Sequence, residues 1–323
     1  MQIFFLLIEK NIRRIEFFTR PAIAVFFGRS GYSSYKQYFT LLRLMQYIKA
    51  KQSAEGRRRK IQLGANCPAA GLPLAHLCKR YAMETLHCSL PVVPMRREPA
   101  HRSEMVNQLL FGETCVRLGA QEDWVMVRLG HDGYTGWVQE KQLRAGEGAG
   151  ADPWYLEAPV QCHEGHWLFA GSMRPAVQGE PGWVQQPSSS AARLRQLTGS
   201  FLGAPYLWGG RTVAGFDCSG FVQVVFRLCG RALPRDASQQ VAEGAVVDFV
   251  EEARPGDLAF FDSEEGHIIH VGIITELTDG GAVIVHASGE VRQDLLDHHG
   301  IFNGIQKNYS HRLRALRRPA AFY

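Results

Sequence analysis

Hydrophobic and polar positions change texture along the chain. From about residue 88, short apolar runs alternate with turn signals. The runs at 92–95, 114–118 and 124–129 are rich in β-branched and aromatic residues, which suit pleated, half-buried strands. In the last of them Val125, Val127 and Leu129 recur at period two, so one face is predicted to be buried. His131-Asp132-Gly133 supplies a hairpin turn, and residues 134–138 form the next strand. Short strands at this spacing predict a small barrel. Over 151–186 the pattern weakens to Trp154, His163, Trp167 and Trp183 among glycines and prolines, a degenerate second barrel-like segment, and 187–190 reads as a linker. Leu194, Leu197, Phe201 and Leu202 then fall near helical spacing. A second helix starts after Gly215 and Asp217, with Phe221, Val224, Val225 and Leu228 on one stripe. Strand-like runs at 258–261, 268–274 and 282–287 follow.

Residues 1–82 have no clean period. They hold 15 Lys/Arg against Glu9, Glu16 and Glu55, a local charge of +12 that leaves −7 for the rest of a chain whose total is +5. All six tryptophans lie beyond residue 82. The stretch reads as a basic leader outside any folded domain, either a targeting segment or residues upstream of a true start at Met83; the second is favoured because the β pattern begins almost at once after it. The basic balance therefore gives no ground for a nucleic-acid partner. No run reaches the roughly 18 apolar residues that span a bilayer. The opening MQIFFLLI lacks a preceding positive charge, is cut short by Glu9 and Lys10, and has no small-residue cleavage site at the right distance. Seven cysteines with no CxxC pair argue against a disulfide framework or a zinc site and suit a reducing compartment. The expectation is a cytoplasmic protein that needs neither metal nor other cofactor and has no membrane partner.

One cysteine stands apart. Cys218 falls at the N-terminus of the second predicted helix, where unpaired amides and the helix dipole favour a thiolate and can stabilise an oxyanion. Cys67, Cys78, Cys88, Cys115, Cys162 and Cys229 read as small apolar residues. Two later strands carry His270 and His286 among Ile, Val and Gly, and a buried imidazole needs a partner for each ring nitrogen. Either histidine alone reads as a satisfied core group. The trio in this order reads as nucleophile, base and orienter. The H-x-x-H pairs at 163/166 and 267/270 lack a third ligand at helical spacing, so they do not point to a metal.

D-C-S-G-F at 217–221, R-P-G-D-L at 254–258, H-V-G-I at 270–273 and H-A-S-G at 286–289 resemble the NlpC/P60 family over residues 190–320. Gly136-Trp137-Val138 closes a stretch similar to a bacterial SH3-like (SH3b) domain. After the leader at 1–82, which departs from the family layout, the resemblance implies an SH3b domain at 83–147, a degenerate second SH3b-like segment at 148–186 and a papain-like α+β catalytic domain at 187–323. It implies a cysteine peptidase acting on cell-wall peptides, with Cys218, His270 and His286 catalytic. The layout is similar to the γ-D-glutamyl-L-diamino acid endopeptidases (dipeptidyl-peptidase VI), in which an SH3b domain helps read a free N-terminal L-alanine. Carried over by motif, Glu113, Tyr134, Tyr206 and Asp236 would bind substrate, with Asp217 and Ser219 beside the nucleophile. The implied partners are peptidoglycan-derived peptides such as L-Ala-γ-D-Glu-diamino acid, already released from glycan and met during recycling. Rival readings are a secreted hydrolase of intact wall, a non-catalytic wall-binding SH3b module, and a thiol acyltransferase.

Overall fold

A computed structural model describes residues 84–319, apart from 151, 176–179, 186 and 188. The basic leader and the start assigned to Met83 lie outside the described residues. No helix among them is long and apolar enough to cross a membrane.

The first body is a seven-stranded antiparallel sheet: β1 (Thr85–Cys88), β2 (Val92–Arg96), β3 (Met105–Leu110), β4 (Thr114–Gln121), β5 (Trp124–Leu129), β6 (Thr135–Gln139) and β7 (Leu143–Ala145), in the order β3-β2-β6-β5-β4-β1-β7. The alternation predicted for β5 holds, with Val125, Val127 and Leu129 in one core beside Val93, Met95, Leu109 and Val138. Gly133 turns the chain into β6 at φ +74°, a conformation that costs glycine little. β3 does not show a simple alternation, because its Asn107 and Gln108 are buried against the C-terminal domain.

Residues 154–184 form two small units. β8 (Trp154–Leu156) lies between β11 (Met173–Arg174) and β12 (Trp183–Val184), while β9 (Val160–His163) and β10 (His166–Phe169) make a hairpin. Leu156, Leu168 and Trp183 are their shared core.

The C-terminal domain opens with α1 (Ala191–Ser200), capped by the Ser190 side chain, which accepts from the Arg193 amide. Leu194, Leu197 and Phe201 are buried as the spacing predicted, but Leu202 is exposed, because the helix ends at Ser200. A short hairpin, β13 (Arg211–Thr212) and β14 (Gly215–Phe216), leads into α2 (Cys218–Arg227), followed by the single turn α3 (Ala237–Gln240). A seven-stranded sheet then runs β15 (Ala245–Val247), β21 (Asn308–Arg318), β16 (Leu258–Asp262), β17 (Ile268–Thr278), β18 (Gly281–Ser288), β19 (Glu290–Leu296), β20 (Gly300–Asn303) in spatial order. β20 also pairs with β21, which closes six of these strands into a barrel.

Alternation along β16 explains its uninterrupted apolar run. Leu258 and Phe260 join the core shared with α2, whereas Ala259 and Phe261 join the second core, with Ile274, Ile284, Leu296 and Ile301. Both faces of the strand are covered, so both are apolar. Phe201, Phe216 and Phe221 pack edge to face, with centroids 5.3 Å (Phe201–Phe216) and 5.8 Å (Phe216–Phe221) apart, and pin the start of α2. Every residue of α2 is buried. Its predicted apolar stripe faces the sheet. Gln223 and Arg227 meet groups of the first body, Asp132 and Glu113.

Candidate active site

The start of α2 is built by hydrogen bonds to Asp217. Its carboxylate accepts from the amides of Gly220 (2.6 Å) and Gly209 (2.8 Å) and from both terminal nitrogens of the buried Arg235. Ser219 Oγ accepts from Arg235 Nη1 at 2.9 Å, and Arg235 Nε donates to Asn107 Oδ1 of β3 at 2.8 Å. A Cβ on Gly220 would lie 2.2 Å from the Gly210 carbonyl oxygen, so this close approach requires glycine. Asp217 and Ser219 thus have their side chains committed to the helix start. Arg235, which the sequence reading passed over, engages both side chains.

Cys218 follows the cap and is 7% exposed. The backbone of Ser219 and Val271 lies beside its sulfur. Burial and the adjacent Asp217 charge push the thiol up to about 12, and those backbone groups and Arg235 offset this only in part. The helix N-terminus was expected to favour a thiolate; in this closed environment desolvation outweighs it. The group present is a thiol, which needs a base beside it.

That base can come from the neighbouring strands. His270 on β17 lies one residue from Val271, and its Nε2 is 2.8 Å from Nδ1 of His286 on β18. This leaves Nδ1 of His270 as the ring nitrogen not engaged by His286. Gly272 is the register partner of His286. A Cβ there would come within 2.9 Å of the His286 Cβ, so the bare glycine lets the second imidazole lean toward the first. His286 Nε2 in turn is 3.0 Å from Asp294 Oδ2 on β19, and Arg292 grips that carboxylate through Nε (2.7 Å) and Nη2 (2.9 Å). From β21, His311 stacks on His270 with centroids 4.2 Å apart and planes 24° apart. Burial, with the two neighbouring histidines, holds His270 well below its usual range, so it is neutral near pH 7. Burial and the neighbouring His286 bring His311 down to about 4, against an opposing pull from Asp294.

Tyr206 is 37% exposed on the loop before β13, its amide bonded to the Gly289 carbonyl. Burial and its proximity to Cys218 raise its hydroxyl to about 12. Tyr134 is half-buried against the first core, and burial and the nearby Asp236 charge raise it to about 12. Asp236 precedes α3 but caps nothing, and no described group donates a hydrogen bond to its carboxylate. Burial, together with Asp217 and Asp132, raises it despite Arg235.

Glu113 is elsewhere. It is fully buried, Oε2 accepting from the Leu110 amide (2.9 Å) and Arg211 Nη1 (3.0 Å), while Oε1 receives Arg211 Nη2 (2.8 Å) and Arg227 Nη1. Burial works to raise its carboxyl, but Arg211, His131 and Arg227 hold it well below the usual range. The expectation that Glu113 faces substrate is therefore corrected. It looked like a loop carboxylate because its partners lie about a hundred residues away. Arg211, Arg235, Arg292, Asp294 and His311 were all missed. The only signal for the strand pair was the R-x-D spacing at 292–294, which puts both side chains on one face.

The NlpC/P60 family profile matches residues 203–311, and that of the bacterial dipeptidyl-peptidase Sh3 domain matches 95–143. A Bacillus subtilis protein named gamma-D-glutamyl-L-lysine dipeptidyl-peptidase is 31% identical over 220 residues, covering 56% of this chain and 71% of that protein. The chain belongs to the NlpC/P60 family. It is a hydrolase of a cysteine-peptidase family, with an SH3-like domain ahead of the peptidase domain. A Bacillus cereus protein of the same name is 26% identical over 216 residues, spanning 53% of this chain and 65% of that one. The crystal structure of an NlpC/P60 family protein from Bacillus cereus aligns with a TM-score of 0.60 at 20% identity, covering 72% of this chain and 99% of the other. An NlpC/P60 endopeptidase from Photobacterium damselae subsp. piscicida aligns at 0.54 and 16% identity, covering 77% and 73%. These two likenesses concern the fold.

Proposed function

We propose that this NlpC/P60 peptidase hydrolyses the γ-D-glutamyl–diamino acid bond of murein peptides that carry a free N-terminal L-alanine, in cytoplasmic recycling of wall fragments. The observation that carries the reading is Asp236: a half-buried carboxylate without a hydrogen-bond donor among the described residues, close to Tyr134 and on the same helix-start scaffold as Cys218. A carboxylate so placed favours an ammonium ligand, because burying either charge unpaired costs several kcal/mol, roughly. The names of the two Bacillus relatives point to the same bond. A free-amine requirement suits fragments already released from glycan, and such an enzyme would spare the intact wall.

In this mechanism the Cys218 thiol gives its proton to His270 Nδ1 as sulfur attacks the γ-carbonyl of D-glutamate. Amides at Cys218 and Ser219, with the Tyr206 hydroxyl, face the developing oxyanion. The tetrahedral intermediate collapses to a thioester, the C–N bond breaks, and the proton on His270 passes to the departing α-amine. His270 then takes a proton from water, hydroxide attacks the thioester, and the proton returns to the Cys218 sulfur as the acid is released. His286 holds the first imidazole in register.

The test compares L-Ala-γ-D-Glu-L-Lys, its diaminopimelate counterpart and the N-acetylated forms, with products followed by mass spectrometry. Release of L-Ala-D-Glu from the free-amine peptides alone, lost in Cys218→Ala, is the expected result. Asp236→Asn should lower kcat/KM on the free amine by about 100-fold while leaving the acetylated peptide as poor as before, the loss of one charged hydrogen bond being worth about 3 kcal/mol. Equal cleavage of free and acetylated peptides would remove the amine-reading role from Asp236 and Tyr134. Cleavage of intact sacculi in preference to the peptides would favour the secreted-hydrolase reading.

A further inference from the structure

The proton-bearing nitrogens of the two active-site imidazoles follow from a residue that touches neither the sulfur nor substrate. We infer that Asp294, clamped by Arg292, is a positioning residue that sets the tautomers of His286 and His270 and thereby leaves His270 Nδ1 bare for the Cys218 proton. This inference rests on the catalytic reading of Cys218 and His270 given above.

A carboxylate can only accept, so the 3.0 Å contact between Asp294 Oδ2 and His286 Nε2 puts the proton on that nitrogen. The Nδ1 of a neutral His286 is then an acceptor. The 2.8 Å contact between the two rings therefore has His270 Nε2–H donating to His286 Nδ1. With its proton on Nε2, His270 has a lone pair on Nδ1. Each step fixes the next, and the chain is anchored only at the carboxylate. Were His286 to carry its proton on Nδ1, His270 would have to present a bare Nε2 and place a proton between its ring and the thiol. It could not then act as base.

Arg292 keeps the anchor from changing. Its Nε and Nη2 meet Oδ2 and Oδ1 in two parallel bonds, and its positive charge, with the His286 N–H, holds Asp294 ionised against burial. Strand register supplies the placement: His286 pairs with Arg292 across β18–β19, and Asp294 lies two residues further along the same face. The remaining groups around His270 are compatible with a neutral ring. His311 stacks from β21 and is itself neutral, and Phe261 packs from β16; Val271, next along β17, shares the core with Cys218 of α2. Glu290 is the other charge acting on Arg292.

An amide at position 294 cannot satisfy both neighbours. Oriented to accept from His286, it presents its NH2 to the Arg292 Nη2 donor. Oriented to accept from Arg292 Nη2, it presents its NH2 to His286 Nε2 and reverses the tautomer chain. Asp294→Asn should therefore slow alkylation of Cys218 by iodoacetamide at pH 7 about tenfold or more, and move the pH profile of that alkylation upward. The rate would be read by mass spectrometry on the peptide containing Cys218. On a cleaved peptide the variant should lose about 100-fold in kcat with KM little changed, less than the 10⁴-fold lost when the comparable carboxylate of a serine protease is converted to an amide. Adding Arg292→Met frees the amide to turn its oxygen to His286, and should restore at least tenfold of the alkylation rate. A purely structural pair would make the double variant worse than the single one. In the wild-type protein, 15N–1H correlation spectra of the histidine rings should show His270 and His286 both protonated on Nε2. A proton on His270 Nδ1, or unchanged alkylation in Asp294→Asn, would overturn the inference. Since neither readout needs a substrate, a protein that shows this pattern yet cuts no murein peptide upholds the tautomer chain and overturns the substrate proposed above.

Discussion

Two imidazoles are kept neutral by burial, and that has a consequence for stability. His311 titrates near 4 in the folded protein against an ordinary 6.5, and His270 is depressed in the same direction. The unfolded chain therefore binds these protons first as pH falls. Their contribution to stability is complete above about 6.5 and is lost progressively as pH drops toward 4. Urea unfolding at pH 7.5 and pH 4.5 should differ in this sense, and His311→Phe should flatten the difference by about 1–2 kcal/mol, a figure discounted for partial solvent access. The residue scale is also where reading the sequence fell shortest. Cys218, His270 and His286 stood out because rare chemistry in short motifs is local. Glu113 and Asp217 were read as groups available to substrate because the arginines that occupy them arrive from remote segments, and a side chain's availability depends on all its neighbours.

At the scale of elements, the arrangement depends on what is missing from β17. The space over Gly272 is filled by Ile284 and the base of His286. Gly272→Ala would put its Cβ 2.7 Å from Ile284 Cδ1 and 2.9 Å from His286 Cβ. It should cost about 1–3 kcal/mol by overpacking, and lower kcat by about tenfold as His286 moves. Urea midpoints and steady-state kinetics on the same sample separate the two effects. Elements whose burial follows their own periodicity were legible: β5 comes out at the predicted residues, and the α2 stripe faces the sheet. The other side of α2 was not, since its polar partners come from the turn after β3 and the turn before β6, and Gln223 and Arg227 carry no sign in the sequence that they will be buried. Asp294 was invisible for a related reason. Its meaning lies in the register between β18 and β19, which composition does not encode.

For the whole described molecule, Glu113 is a junction. It receives Arg211 from β13 and Arg227 from the end of α2 while sitting on a turn of the SH3-like body. Arg235–Asn107, Gln223–Asp132 and the Arg211 amide with Gln108 Oε1 (2.7 Å) add to the same seam. Removing one partner of a buried ionic cluster leaves the others charged and unpaired. Glu113→Gln should destabilise the protein by about 3–5 kcal/mol, and in urea the tryptophan fluorescence of the SH3-like body and the loss of Cys218 burial should separate into two transitions where the wild type shows one.

The pairing of β21 with β15, β16 and β20 has a bearing on biosynthesis. A ribosome delivers Cys218, His270 and His286 long before it delivers His311, and until residues 308–318 have emerged β16 has one edge open and β20 has no second neighbour. The sheet must wait in an unfinished state, with hydrophobic strands uncovered, until β21 is translated. The nascent enzyme therefore cannot complete the stacked histidine cluster until β21 has been translated, and truncation before residue 308 should yield aggregation-prone chains rather than a weakened catalyst.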